Sequence, residues 1–170
     1  MLLYIDFSNT ITLKDFNYYT NNTNNNIIFS KIDIFRLIGS EKRINLLKTF
    51  FSHCKYNNYQ LNILSRNKEI LIYNFLKQIN LLKYFTNIIG FETLSKFKDK
   101  TKQKADFILH HHHILDPFKI LVIDDSTKQI LNIKQKCEWI NCYKINNSNK
   151  GIDFFDILNI KTEIKNIINH

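Results

Sequence analysis

The sequence predicts a three-layer α/β/α domain on a Rossmann-like parallel sheet. Three short runs rich in Leu, Ile and Val, at residues 2–5, 61–64 and 120–123, have the length and composition of buried strands. Stripes of helical period lie between them, which is the alternation of a parallel α/β fold. Each run also stops on polar residues: Asp6, Ser8, Asn9 and Thr10 after the first, Ser65, Arg66 and Asn67 after the second, Asp124, Asp125 and Ser126 after the third. Ligands of open α/β sheets bind just beyond the carboxyl ends of strands, so these three clusters are the candidates for chemistry.

The chain has 170 residues, one domain by the length prior, and at 44% hydrophobic it can bury a core, which excludes wholesale disorder. Lys and Arg outnumber Asp and Glu by 24 to 15, a balance that attracts polyanions. No basic motif interleaved with aromatics accompanies that charge, so nucleic acid is a secondary expectation. Cys54, Cys137 and Cys142 are odd in number and lack CxxC spacing, as expected of reduced thiols in a cytoplasmic protein. Neither a signal peptide nor a membrane span is expected, because Asp6 interrupts the first apolar run early.

The elements follow in order. Residues 13–39 are expected to form a low-complexity loop or flap, given the asparagine tract at 21–26. Ser40 is placed to cap a helix whose apolar face is Ile44, Leu47, Phe50, Phe51 and Cys54. Asn67 is a candidate cap for a second helix with Leu71, Phe75, Leu76 and Ile79. Residues 87–90 form a short edge strand. A lysine run follows, Lys96, Lys98, Lys100, Lys102 and Lys104, and Thr101 is a candidate cap for a helix carrying Ala105, Ile108, Leu109 and His112. His110, His111, His112 and His113 cannot converge on one ion from a helix, where successive residues diverge by about 100°. Only the pair His110 and His113 has metal-binding spacing, and a surface helix end accounts for the cluster better. Ser126 opens a helix through Ile130 and Ile133, residues 138–143 form a strand, and Asp153 caps a final helix with Phe154, Ile157, Leu158, Ile164 and Ile168.

In chain order the strand ends read Asp-x-Ser-x-Thr, then Ser, then a lysine-rich segment, then Asp-Asp. That order resembles the haloacid-dehalogenase-like (HAD) hydrolases, over roughly residues 2–151, nearly the whole chain, with one departure: the second Asp of the nucleophile motif is Ser8. The short stretch after Thr10 makes it similar to capless or minimally capped members. The resemblance implies a phosphomonoester hydrolase dependent on Mg²⁺, with an aspartyl-phosphate intermediate. Asp6 would be the nucleophile and Thr10 its orienting partner. Asp6, Asp124, Asp125 and the backbone carbonyl of Ser8 would hold the metal. Ser65 and one lysine, Lys100 by spacing with Lys102 next, would bind the phosphoryl oxygens, with Arg66 in reach. The implied partner is a phosphorylated small molecule or macromolecule.

Ser8 keeps another class open: a catalytically weak protein of the same fold that binds a phosphorylated or polyanionic partner. Dehalogenase and phosphonatase chemistries also lack the second Asp but need an enclosing cap. A receiver-like regulatory domain would carry its acidic pair nearer the N-terminus.

Overall fold

A computed structural model of the chain describes residues 1–15, 28–112, 119–147 and 150–169. The asparagine tract and His113 lie outside the described residues.

The central strand is β1, Leu2–Ile5. It pairs in parallel with β2, Gln60–Leu64, on one side and with β4, Ile120–Asp124, on the other. Strand β3, Phe85–Ile89, extends the sheet beyond β2, and β5, Asn141–Lys144, extends it beyond β4. The order β3-β2-β1-β4-β5 is all parallel. Chain direction across the sheet reverses beside β1, the switch point where such sheets bind ligands.

Both faces of the middle strands are covered, which is why they read as continuous apolar runs. Leu3, Ile5, Leu61, Ile63, Leu121 and Ile123 point into one core. Helices α1 (Lys31–Ile38), α2 (Glu41–Tyr56), α3 (Glu69–Gln78) and α7 (Phe154–Asn169) pack there. Tyr4, Leu64, Ile120 and Val122 point into the other, against α4 (Phe91–Leu94), α5 (Gln103–His112) and α6 (Thr127–Lys136). Phe50, Phe51 and Phe75 are essentially solvent-free. Burying side chains of this size contributes about 1.5–3 kcal/mol each. The edges are more polar: Thr86 and Asn87 of β3 are exposed, and Asn87 Nδ2 donates to Asn62 Oδ1 at 2.9 Å.

Several local expectations hold. Ser40 and Ser126 accept the backbone N–H of Arg43 and Gln129, and Asp153 accepts that of Asp156 at 3.0 Å. Others change. The stretch 13–39 contains α1, begun by a reciprocal capping box between Ser30 and Asp33. Its signal was in the sequence but short, and two of its apolar residues, Ile32 and Phe35, are exposed. Asn67 does not cap α3, which starts at Glu69; its side chain turns to Ser8 and Ser65 instead. Thr101 lies ahead of α5 and closes a turn onto the Asp99 carboxylate. Strand β5 begins at Asn141, because the Ile140 N–H is spent on the Cys137 carbonyl in a turn that ends α6.

Beyond β1 the chain makes one wide turn, Phe7–Ile11, with the Thr12 N–H reaching back to the Phe7 carbonyl. Asn9 in this turn has φ 56°, a conformation Asn tolerates better than most residues. Arg43 of α2 clamps the end of the turn, donating to the carbonyls of Ile11 at 2.6 Å and Thr10 at 3.2 Å. Gly151 closes over it with φ 56°, and a Cβ there would sit 2.4 Å from Arg43 Nη2 and 2.7 Å from the Thr10 carbonyl. Arg43→Met is therefore expected to cost about 2–4 kcal/mol in urea unfolding, because these buried carbonyls lose a charged donor. A loss below about 1 kcal/mol would mean that water replaces the clamp.

Candidate functional site

The first link in the site is sheet register. Ile5 stands opposite Ile123 and the Asp6 N–H donates to the Ile123 carbonyl at 2.8 Å. Asp6, just past β1, therefore comes beside Asp124, the last residue of β4. Asp125 follows, and carboxylate oxygens of Asp6, Asp124 and Asp125 lie within 4.8 Å of one another. Asp6 and Asp124 are buried and Asp125 is half-buried.

Such a cluster needs a counter-charge, since like charges in a dry site repel strongly. Lys104, from the first turn of α5, supplies it. Its ammonium lies 2.5 Å from Asp6 Oδ1 and 2.6 Å from Asp124 Oδ2, and the side chain is only 3% exposed. Burial alone would lower the Lys104 pKa, but Asp124 and Asp6 outweigh it and the net direction is up. One ammonium does not satisfy three carboxylates. Burial, aided by Asp124 and Asp125 against the opposing pull of Lys104, pushes the Asp6 carboxyl up to about 7. Burial and Asp124 likewise raise Asp125.

A divalent cation fits this arrangement. The donors are all oxygens, the set a hard ion such as Mg²⁺ takes, and the formal negative excess is the charge it would cancel. Among the described residues no histidine joins this or another metal-binding group. His112 turns inward to the Tyr4 hydroxyl and His111 stacks on Phe107, with ring centroids 4.1 Å apart.

These residues form the floor of a cavity of about 660 Å³, a size typical of small-molecule sites. Ser65 follows β2 and is 1% exposed; its hydroxyl accepts from Asn67 Nδ2 at 3.1 Å. The same Asn67 amide donates to Ser8 Oγ at 2.7 Å, so Asn67 ties the ends of β1 and β2 together. Ser8 Oγ in turn faces Asp15 Oδ1 at 3.5 Å.

Of the residues singled out from sequence, Asp6, Ser8, Ser65, Arg66, Lys100, Asp124 and Asp125 all line this cavity. Thr10 is buried in the adjoining turn, and its hydroxyl makes no hydrogen bond to Asp6. Lys102 does not line the cavity; it leans on Asp99 at 3.8 Å. The lysine that touches the carboxylates is Lys104, and Lys100 stands exposed at the cavity wall. A signal for Lys104 existed. It is the one lysine of the run on the inward face of α5, three and four residues before the buried Phe107 and Ile108. Asn67 and Asp15 were also not assigned to the site from sequence.

Neither a protein-family model nor a curated protein matches the sequence. Solved structures do match. A HAD-superfamily hydrolase from Ehrlichia chaffeensis is 18% identical, with a TM-score of 0.54, over 99% of this chain and 97% of its own. A HAD family enzyme from Bacteroides thetaiotaomicron, an Asp-to-Ala mutant in complex with magnesium and inorganic phosphate, is 15% identical, with a TM-score of 0.54, over 90% of this chain and 96% of its own. A haloacid dehalogenase-like family hydrolase from Streptococcus pneumoniae is 15% identical, with a TM-score of 0.51, over 93% of this chain and 89% of its own. The chain therefore has the HAD-like fold. Among the described residues no helix is long and apolar enough to cross a membrane.

The charge arrangement generates a stability prediction. Lys104→Met leaves Asp6 and Asp124 buried without a cation and is expected to destabilise the metal-free protein by about 3–5 kcal/mol. Asp6→Asn removes one of the crowded charges, keeps an acceptor for Lys104, and is expected to be neutral or stabilising. Urea unfolding of both variants in the presence of EDTA checks the contrast. Equal losses in the two would show that repulsion does not dominate the site.

Proposed function

We propose that the chain is a Mg²⁺-dependent phosphomonoester hydrolase that works through an aspartyl-phosphate on Asp6. The observation that carries this reading is the meeting of Asp6, Asp124 and Asp125 around one ammonium, at the switch point of a HAD-like sheet. A fold neighbour held with magnesium and inorganic phosphate supports it.

A bound Mg²⁺ would supply electrostatic screening between an anionic nucleophile and an anionic phosphoryl group. Asp6, Asp124 and Asp125 would hold it through side-chain oxygens and Ser8 through its backbone carbonyl. Asp6 then attacks phosphorus, the bond from phosphorus to the ester oxygen breaks, and the leaving oxygen takes a proton from solvent water. Water attacks the aspartyl-phosphate and releases inorganic phosphate with Asp6 regenerated. Lys104 neutralises charge on the phosphoryl oxygens, a role that its place beside Asp6 suits better than that of Lys100. Ser65 and Asn67 offer further hydrogen bonds, and Arg66 and Lys100 reach in from the cavity wall. The turn at Phe7–Ile11 and the Arg43 clamp hold Asp6 in place without a hydrogen bond from Thr10.

The weak point is proton transfer to the leaving group. A serine hydroxyl has none of the acidity of a carboxyl near neutral pH, and Ser8 Oγ already accepts from Asn67. General acid–base assistance is typically worth ~10²–10⁴ in rate. An aryl oxide leaves without much protonation, whereas an alkoxide does not. The second reading, a phosphate-binding protein with little turnover, rests on this same substitution.

Two experiments follow. Asp6→Asn is expected to abolish Mg²⁺-dependent release of phosphate from an aryl phosphate while circular dichroism stays that of the parent; activity within a few-fold of the parent would remove Asp6 from its role. Ser8→Asp is expected to raise kcat/KM on an alkyl phosphate more than on an aryl phosphate, by up to ~10²-fold, the lower end of what acid–base assistance supplies. Rapid turnover of alkyl phosphates by the parent would show that another group delivers the proton. No turnover of either ester by either protein would favour the binding protein.

A further inference from the structure

Inorganic phosphate or a phosphoryl group needs only the floor of this cavity. About 660 Å³ is room for roughly 20 waters at ≈ 30 Å³ each. The upper wall indicates what fills the remainder. Arg66, Lys98 and Lys100 all line it, all are exposed, and none pairs with a carboxylate among the described residues. Two aromatic rings join them. Phe91 is 50% exposed, although a large apolar ring gains by burial, and Phe97 is half-buried at the same wall. Phe97 is braced edge-on by Phe107, with ring centroids 6.3 Å apart.

The lysine-bearing segment is anchored. Asp99 Oδ1 accepts both the N–H and the hydroxyl of Thr101, and Gln103 Nε2 holds the Phe97 carbonyl. The Thr101 carbonyl is held in turn by Gln129 and Asn132 of α6. Lys98 and Lys100 thus flank a pinned turn whose acid, Asp99, is committed to Thr101 and Lys102. The lysine run divides its labour: Lys104 at the floor, Lys102 on Asp99, Lys98 and Lys100 at the wall.

Unpaired cations beside exposed aromatic surface are the recognition chemistry of single-stranded nucleic acid, whose phosphates take the charge and whose unpaired bases stack on the rings. A phosphosugar with one phosphate would leave the cations of the wall without partners, and a phosphopeptide has no repeating charge for them. The chain's net charge of +9 adds long-range attraction for a polyanion. We propose that this cavity takes the phosphorylated end of a single-stranded nucleic acid, with the terminal phosphate at Asp6 and Lys104, the next phosphates on Arg66, Lys98 and Lys100, and a base against Phe91. This rests on the hydrolase reading for the place of the terminal phosphate.

The test is fluorescence anisotropy with full-length Asp6→Asn protein and Mg²⁺. The probes are a labelled thymidine hexanucleotide with and without a terminal phosphate, at the 3′ or the 5′ end, and a phosphoserine peptide of equal net charge. The phosphorylated strand is expected to bind at least tenfold more tightly than either comparison probe. The three wall contacts alone contribute about −2 to the slope of log K against log salt, and Lys98→Ala/Lys100→Ala should flatten it by about 1.4. Phe91→Ala should weaken strand binding by about 5- to 150-fold through loss of one stacked base. A peptide that binds as tightly as the strand, an unphosphorylated strand that binds equally well, an unchanged slope, or no effect of Phe91→Ala would each overturn the proposal. Turnover by the parent protein separates the two readings. Strand binding as expected, with no phosphate released from any ester, would sustain this inference and remove the hydrolase. Hydrolysis of an aryl phosphate without strand binding would do the reverse.

Discussion

The Lys104 ammonium between Asp6 and Asp124 is the constraint around which the rest of the molecule is arranged. Parallel register between β1 and β4 forces two strand-end carboxylates side by side, and a third follows in the chain. Burial of such a group without a cation is prohibitive. Helix α5 therefore presents a lysine, not an apolar residue, on the inward face of its first turn, directly ahead of Ala105, Phe107 and Ile108, which fill the core. The second core and the site are thus held by the same helix. Even so, the cation deficit persists, and the neighbouring carboxylates add to the burial that raises Asp6 and Asp125. A protein selected only for stability would not gather these groups; one that takes a divalent cation and a phosphate would.

Around that floor, packed and hydrogen-bonded side chains fix the backbone that does the positioning. The turn at Phe7–Ile11 is wedged from beneath by Phe7, stacked edge-on to Phe75 at 5.8 Å, and clamped at its end by Arg43 and Gly151. Asn67 spans from Ser65 to Ser8. Asn67 ties the ends of β1 and β2 together and Arg43 ties the turn to α2, so the geometry near Asp6 is held from two sides.

Much of this was legible in the sequence. Each of the three middle strands announces itself by an apolar run and a polar stop, because parallel strands buried on both faces leave little room for other residues at their centres. The carboxylates and Ser65 were visible for the same reason: a strand end fixes where they point. Lys104 was harder. Five lysines at alternate positions look alike in one dimension, and only the inward face of a helix distinguishes one of them. Asn67 was misread because an Asn just ahead of a helix is usually a cap, and its competing partners, Ser8 and Ser65, are brought to it by the sheet. Helix α1 hid in a stretch dominated by asparagines, although Ser30 and Asp33 carried its start signal.

The central position of β1 also governs when the site can exist. Leu2 pairs with Gln60 on one edge and with Ile120 on the other, so β1 is made before both of its neighbours and waits longest for the second. At about 5–20 residues per second, Asp124 leaves the ribosome on the order of ten seconds after Asp6. Until then the apolar run 2–5 has no second edge and the nascent segment carries Asp6 in water, fully ionised and harmless. Long-range parallel pairing of this kind closes slowly, because the loop entropy is lost before the contacts form. The crowded carboxylates come together only in that last step, with Lys104 already synthesised some twenty residues earlier. Synthesis order thus delivers the cation before Asp124, the second acid it holds.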